Sequence, residues 1–206
     1  MKHDWKKEEK TLYAPKNKPE KVNVPAMNFF SIRGEGNPND PFFAEYIGVL
    51  YALSYAVKMS PKSGNAPDNY VEYSVYPLEG VWDINDEAKQ KPMEKLDKDS
   101  LVFNLMIRQP NFVTADYAAN IIELVKKKKP SPLLDRVKFE QIEEGECIQM
   151  LHVGSYDSEP QSFAAMEDFA ASLGLVRQSK IHREIYLSDA RKTATEKLKT
   201  ILRFQV

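Results

Sequence analysis

The side chains of this sequence that could do chemistry are few, and one carboxylate stands out by its setting. Glu184 lies in the run IHREIYLS (181–188), whose β-branched and aromatic residues alternate as in a strand. Alternation puts Ile185 and Leu187 on one face, expected to meet a covering helix, and His182, Glu184 and Tyr186 on the other. A carboxylate flanked by aromatic rings can balance a cationic ligand. It can also serve as a general base toward water while a tyrosine hydroxyl holds the substrate. The strand pattern alone leaves a second reading open, in which Glu184 faces solvent or pairs with Arg183 or a lysine.

Other constellations point less clearly to chemistry. Gly34-Glu35-Gly36 is a GxG in a polar loop, but Glu35 between the glycines would repel a phosphate, so it reads as a turn. His152, two residues before Gly154, could line a groove or be a satisfied histidine at the core edge. Ser155 has no nucleophile-elbow motif around it, which argues against a Ser/His/Asp hydrolase. Cys147 reads as a small buried hydrophobe.

The elements that must position Glu184 can be read along the chain. Residues 1–21 (KKEEK, then APKNKPEK) look like a flexible, solvated, charged arm. Residues 24–33 and 101–109 read as strands, as do 70–79 (YVEYSVYPLE). A helical period runs from Phe43 to Val57, and a polar stretch from Asp86 to Asp99. A linking helix spans about 114–129, with Thr114 as N-cap and lysines in its last turn. Residues 137–142 and 146–153 flank Glu143-Glu144-Gly145 like a hairpin. A helix around Phe163–Leu173 should end at Gly174, and the final strand covers 198–206.

These elements repeat. Residues 24–109 and 138–206 share the order strand, Gly/Asp/Pro loop, helix, strand, strand, and IRGEGNPNDPFF parallels LHVGSYDSEPQSF. The expected fold is therefore α+β, with two pseudo-symmetric β-α-β-β halves forming an antiparallel sheet, helices on one face, and a ligand groove between the halves. Ser74 occupies the first-half position matching Glu184, with Tyr76 two residues on.

Composition narrows the function classes. The 206 residues carry a net charge of −1, which argues against direct nucleic-acid binding. One cysteine rules out an intrachain disulfide and fits a reducing, cytoplasmic setting. With three histidines besides, a His/Cys zinc site is not expected, nor any other metal or cofactor. No apolar run approaches the ~18–20 residues of a membrane span, and no apolar segment follows the charged start as in a signal peptide. Ten tyrosines beside ten phenylalanines hint at a wall apolar in body and polar at its tips.

The repeat, with VYPLEGVW (75–82), QMLHVGSYDSEPQSFAAMEDF (149–169) and HREIYLSDARKTATEKLKTILR (182–203), resembles the GyrI-like small-molecule-binding family. That family also supplies the effector-binding domains of MerR-type and AraC-type transcription regulators. The resemblance covers about residues 20–206, so residues 22–206 read as one such domain. By it, Glu184 matches a central pocket glutamate, and Tyr186, Tyr76 and Trp82 match aromatic positions around the ligand. Ala190 stands where a proline is common, a departure confined to a turn. No helix-turn-helix unit precedes the domain in this sequence, so the regulator role is not carried over.

The resemblance implies binding of amphiphilic aromatic, often cationic, small molecules, for sensing, sequestration or detoxification. One alternative is a hydrolase that opens strained cyclopropane-type rings of genotoxic compounds, with Glu184 and Tyr186 as catalytic residues. Another is an effector-sensing partner of a separate DNA-binding chain.

Overall fold

The computed structural model describes residues 2–91 and 97–206. In chain order it contains α1 (Trp5–Glu8), α2 (Lys10–Tyr13), β1 (Glu20–Val24), β2 (Met27–Glu35), α3 (Pro41–Lys58), β3 (Leu78–Ile84) and α4 (Asp86–Lys89). There follow β4 (Leu101–Gln109), α5 (Ala115–Lys128), β5 (Lys138–Ile142), β6 (Gly145–Val153), α6 (Glu159–Ser172), β7 (His182–Tyr186) and β8 (Lys199–Gln205). The polar stretch from Asp86 to Asp99 falls partly outside the described residues.

The chain divides into two compact units. The first is Met1–His3, Met27–Tyr76 and Trp82–Ile142; the second is Asp4–Ala26, Pro77–Val81 and Glu143–Val206. In the first, the strand order is β3-β4-β2-β5, and β2 runs antiparallel to both β4 and β5. Phe29, Phe30 and Ile32 of β2 are buried, as are Leu50, Leu53 and Val57 of α3, which packs on β2 and β4. Pro41 opens α3, where its missing N–H costs nothing. Thr114 Oγ1 accepts from the Tyr117 N–H at 3.2 Å and so caps α5, whose last turn carries Lys126–Lys128.

In the second unit the order is β1-β6-β8-β7-β3, with β8 antiparallel to β6 and β7. Met166 and Ala170 of α6 pack on Ile148, Met150, Leu202 and Phe204. The helix ends at Gly174 (φ +70°), with Leu175 N–H donating to Ala170 O at 2.9 Å and Gly174 N–H to Ala171 O at 3.0 Å. This double closure needs a left-handed residue, which glycine adopts without strain. The protein is thus α+β, and the chain contains two β-α-β-β runs, β2-α3-β3-β4 and β6-α6-β7-β8, with β3 divided between the units.

Several sequence expectations change. Residues 137–142 and 146–153 do not form a hairpin. β5 pairs with β2, while β6 pairs with β1 and β8, so each unit takes the strand that precedes the other run in sequence. Glu144, expected in the hairpin turn, is instead drawn to Arg183 and Arg203. Residues 70–77 are not a strand. Pro77 cannot donate to a ladder, and β3 begins after it, placing Gly80 to Asp83 within the strand.

The N-terminal segment is not a solvated arm. Trp5 and Tyr13 are buried with their rings 5.2 Å apart, and Leu12 O and Thr11 O accept hydrogen bonds from Arg203 and Gln149. Its high charge concealed two large apolar side chains eight residues apart. The GxG is not simply a loop either. Gly34 lies inside β2, where a Cβ would come within 2.5 Å of the Phe103 ring, so close packing requires glycine.

Candidate functional site

Glu184 sits in the middle of β7, opposite Leu202 of β8. Leu202 packs on α6, so Glu184 faces that helix; the sequence expectation that Ile185 would do so is reversed. The opposite face of β7 can bury Arg183 because it supplies two counter-ions. Glu79 of β3 lies 2.7 Å from the guanidinium and Glu144 lies 2.9 Å from it. Arg203 stands beside them in register, bonded to Glu144 at 3.2 Å and to Gln149 Oε1 at 2.9 Å. Burial works against ionisation of Glu144, but Arg183 and Arg203 outweigh it and hold its carboxyl below the usual range.

On the α6 face the chemistry differs. Glu184 is 8% exposed, and its Oε1 lies 3.2 Å from His182 Nε2. The His182 ring meets the Phe163 ring edge-on at 4.7 Å. Among the described residues no lysine or arginine is paired with Glu184. Its other partner is Glu159, the first residue of α6, with which it shares a hydrogen bond. Burial, then the Glu184 charge, push Glu159 up to about 10, so at neutral pH Glu159 keeps its proton and donates it to Glu184. Tyr156 and Tyr186 meet edge to face with centroids 6.2 Å apart. Burial, then the nearby Glu184, Glu159 and Asp189 carboxyls, raise the Tyr156 phenol to about 12, which keeps it a donor. The result is one carboxylate, one carboxylic acid and two tyrosines on a partly apolar wall.

The four sequence-derived site residues separate into two groups. Glu184 and Tyr186 share β7 and this cluster. Tyr76, in the first unit, is 3% exposed, bonded through its hydroxyl to His3 Nε2 at 3.3 Å, with Arg108 4.6 Å above its ring. Trp82, at 6% exposure, packs against Phe43 and Phe103 at 5.9 and 5.5 Å in the same unit. The sequence reading missed Glu159 and Tyr156. The signal for Glu159 is present in Ser158-Glu159-Pro160, a helix start, although the apolar period that marks the helix begins only at Phe163.

The remaining candidates resolve as structural. His152 Nδ1 bonds Ser162 Oγ at 2.9 Å and its Nε2 bonds Ser155 O at 3.0 Å, tying the loop to α6. Ser155 Oγ accepts from the Asp157 N–H at 3.2 Å. Burial pushes the Cys147 thiol up to about 12, far from a reactive thiolate. Among the described residues, no group of three or more His, Cys, Asp or Glu side chains is arranged to hold a metal ion. No helix among them is long and apolar enough to cross a membrane.

The family is shown directly: the GyrI-like small molecule binding domain matches residues 17–206, and the chain belongs to that family. It is similar to a crystal structure of a hydrolase from Listeria innocua, with 40% identity, 98% of both chains covered and a TM-score of 0.88. A second Listeria innocua structure, an uncharacterized conserved protein, is 41% identical over 98% of both chains with a TM-score of 0.89. The EcmrR C-terminal domain shares the fold at a TM-score of 0.55 and 11% identity, covering 91% of this chain and 96% of that one. No curated protein matches.

Proposed function

We propose that the chain binds flat, amphiphilic aromatic cations, with Glu184 as the counter-charge and Tyr186 and Tyr156 as ring contacts. The observation that carries this is the charge arrangement on the two faces of β7. Arg183 meets two carboxylates on its own face, whereas Glu184 meets a histidine and a neutral acid. A buried carboxylate with no cationic partner gains most from a cation brought by a ligand. Tyrosine faces add cation–π attraction of roughly 0.5–2 kcal/mol each.

The test is calorimetry with N-methylquinolinium and its neutral relative quinoline, on wild type and Glu184→Gln. The cation should lose about tenfold or more in affinity on substitution while quinoline changes little. Equal losses for both ligands would remove the charge from the explanation.

A second reading is favoured by the likeness to the Listeria innocua hydrolase over nearly the whole chain. In it, Glu184 takes a proton from water as the water oxygen bonds to a ring carbon, the strained carbon–carbon bond breaks, and its electron pair passes to a conjugated substrate carbonyl whose oxygen a tyrosine hydroxyl holds and protonates. A product assay on a strained-ring substrate separates the two readings. Turnover that disappears in Glu184→Gln supports the hydrolase; a ligand recovered unchanged supports the binder.

A further inference from the structure

We propose that Ser162 and His152 form a nucleophile–base pair that hydrolyses carboxylic esters of aromatic alcohols. The inference goes beyond the cation-binding reading and does not rest on it. Glu184 faces α6 from β7, whereas His152 meets the first turn of that helix from β6.

The hydrogen bonds that tie the loop to α6 also fix the state of the histidine. His152 is 5% exposed, and its Nε2 faces two oxygens, the Ser155 carbonyl at 3.0 Å and Ser158 Oγ at 3.2 Å. The carbonyl can only accept. The Ser158 hydroxyl donates its own proton to the same carbonyl at 2.7 Å, so toward the histidine its oxygen also accepts. Nε2 therefore carries the hydrogen of the neutral ring, and Nδ1 presents a lone pair. Ser162 Oγ lies 2.9 Å from Nδ1 and donates to it. A hydroxyl bonded to a base whose other nitrogen is held by a third group is the arrangement of an activated nucleophile. Ser155 Oγ differs, because it accepts from the Asp157 N–H at 3.2 Å. Of the three serines around His152, it is Ser162 that turns its proton to the base.

The position of Ser162 suits acyl transfer. It is the fourth residue of the 14-residue α6 and only half-buried, at the helix end whose positive potential favours a developing oxyanion. Tyr156 lies in the same turn as Ser155 and Ser158 and is 38% exposed, so an aromatic leaving group has a ring to pack on. Ser162 Oγ bonds to the ester carbonyl carbon as its proton passes to His152 Nδ1. The bond from that carbon to the aryl oxygen breaks, and the aryl oxygen leaves with the Nδ1 proton as the free phenol. Water oxygen then bonds to the acyl carbon and gives a proton to Nδ1. The bond to Ser162 Oγ breaks, Oγ recovers that proton, and the carboxylic acid departs. Water is the co-reactant, and the histidine ends neutral as it began.

The experiment treats the full chain with an alkyl fluorophosphonate, maps the modified residue by mass spectrometry, and follows release of 4-nitrophenol from 4-nitrophenyl acetate. Wild type should carry the label on Ser162 and release the phenol, and Ser162→Ala should do neither. His152→Gln, whose amide can still donate to the Ser155 carbonyl, should slow both by about a hundredfold or more. Should the histidine variant fail to fold, wild type unfolded in urea takes its place, and labelling of Ser162 should vanish there. Folded wild type unlabelled at Ser162, phenol release that persists in Ser162→Ala, or labelling that is undiminished in His152→Gln or in urea overturns the proposal.

Discussion

Replacing Glu159 by Gln should make the ligand-free protein more stable, and increasingly so as pH rises. In the unfolded chain this carboxyl ionises near its ordinary value of 4.5, whereas in the folded protein it holds its proton up to about 10. Below the unfolded value both states are protonated and the group is neutral to folding. Above it the unfolded state gains by ionising and the folded state does not. Stability therefore falls by ~1.4 kcal/mol per pH unit until the folded value is reached. From 4.5 to neutral pH the accumulated cost is at most about 3 kcal/mol. Gln keeps the shape and can still donate to Glu184, so it should recover about 1–3 kcal/mol at neutral pH and almost nothing near pH 4. Urea unfolding of wild type and variant across this range measures the difference directly. A gain that is independent of pH would mean that the benefit comes from packing. A loss at neutral pH would mean that Glu159 is ionised and paired in the folded protein, which would refute the reasoning.

Three further outcomes follow from the same contacts. Trp82→Ala should cost about 3–5 kcal/mol of stability, since the indole packs between Phe43 and Phe103; a parallel loss of affinity per folded molecule would place Trp82 on the ligand as well. Gly34→Ala should lower the melting temperature, because the new methyl would collide with the Phe103 ring; an unchanged melting temperature would show that the ring yields freely. Glu144 is held below the usual carboxylate range when folded, so its stabilisation is complete above the unfolded value and is lost as pH falls through the folded one. Acid unfolding of Glu144→Gln should accordingly be shallower than that of wild type.

What the sequence disclosed follows the range of the forces involved. Local signals were legible: the Thr114 cap, the Gly174 stop, and strands such as 101–109 whose alternation sets their own boundaries. The repeat was legible because each β-α-β-β run is encoded contiguously. The exchange of leading strands was not. β1 and β5 find their partners more than a hundred residues away, and nothing in EKVNV or KFEQI distinguishes β6 from β2 as a neighbour. Glu184 was visible because it interrupts an aromatic strand, yet its facing was misjudged. Ile185 looked like the residue to meet the helix, and only the distant Glu79 and Glu144 make its face able to bury Arg183. Glu159 escaped because its role depends on a hydrogen bond to a residue 25 positions later, across a loop and a strand edge.

The two faces of β7 give a last and sharper prediction, because they hold buried carboxylates of similar enclosure and opposite purpose. Glu79 is fully buried against Arg183 at 2.7 Å, and Tyr13 donates toward its other oxygen at 3.5 Å. Glu79→Gln strands a buried guanidinium with part of its compensation gone, and the expected cost is about 3–5 kcal/mol. Glu184→Gln strands no buried cation, although one carbonyl oxygen must then serve both His182 and the Glu159 proton. Gln retains an acceptor for His182, and no arginine or lysine among the described residues loses a partner. Removing a buried charge that the protein does not itself compensate should leave stability unchanged or raise it by about 1 kcal/mol. The ligand-binding consequence runs the other way: Glu184→Gln should lose the cation preference and Glu79→Gln should keep it per folded molecule. Unfolding and calorimetry on the same two variants measure both. If the two substitutions destabilise alike, Glu184 is a structural ion like Glu79, and the site must be sought elsewhere.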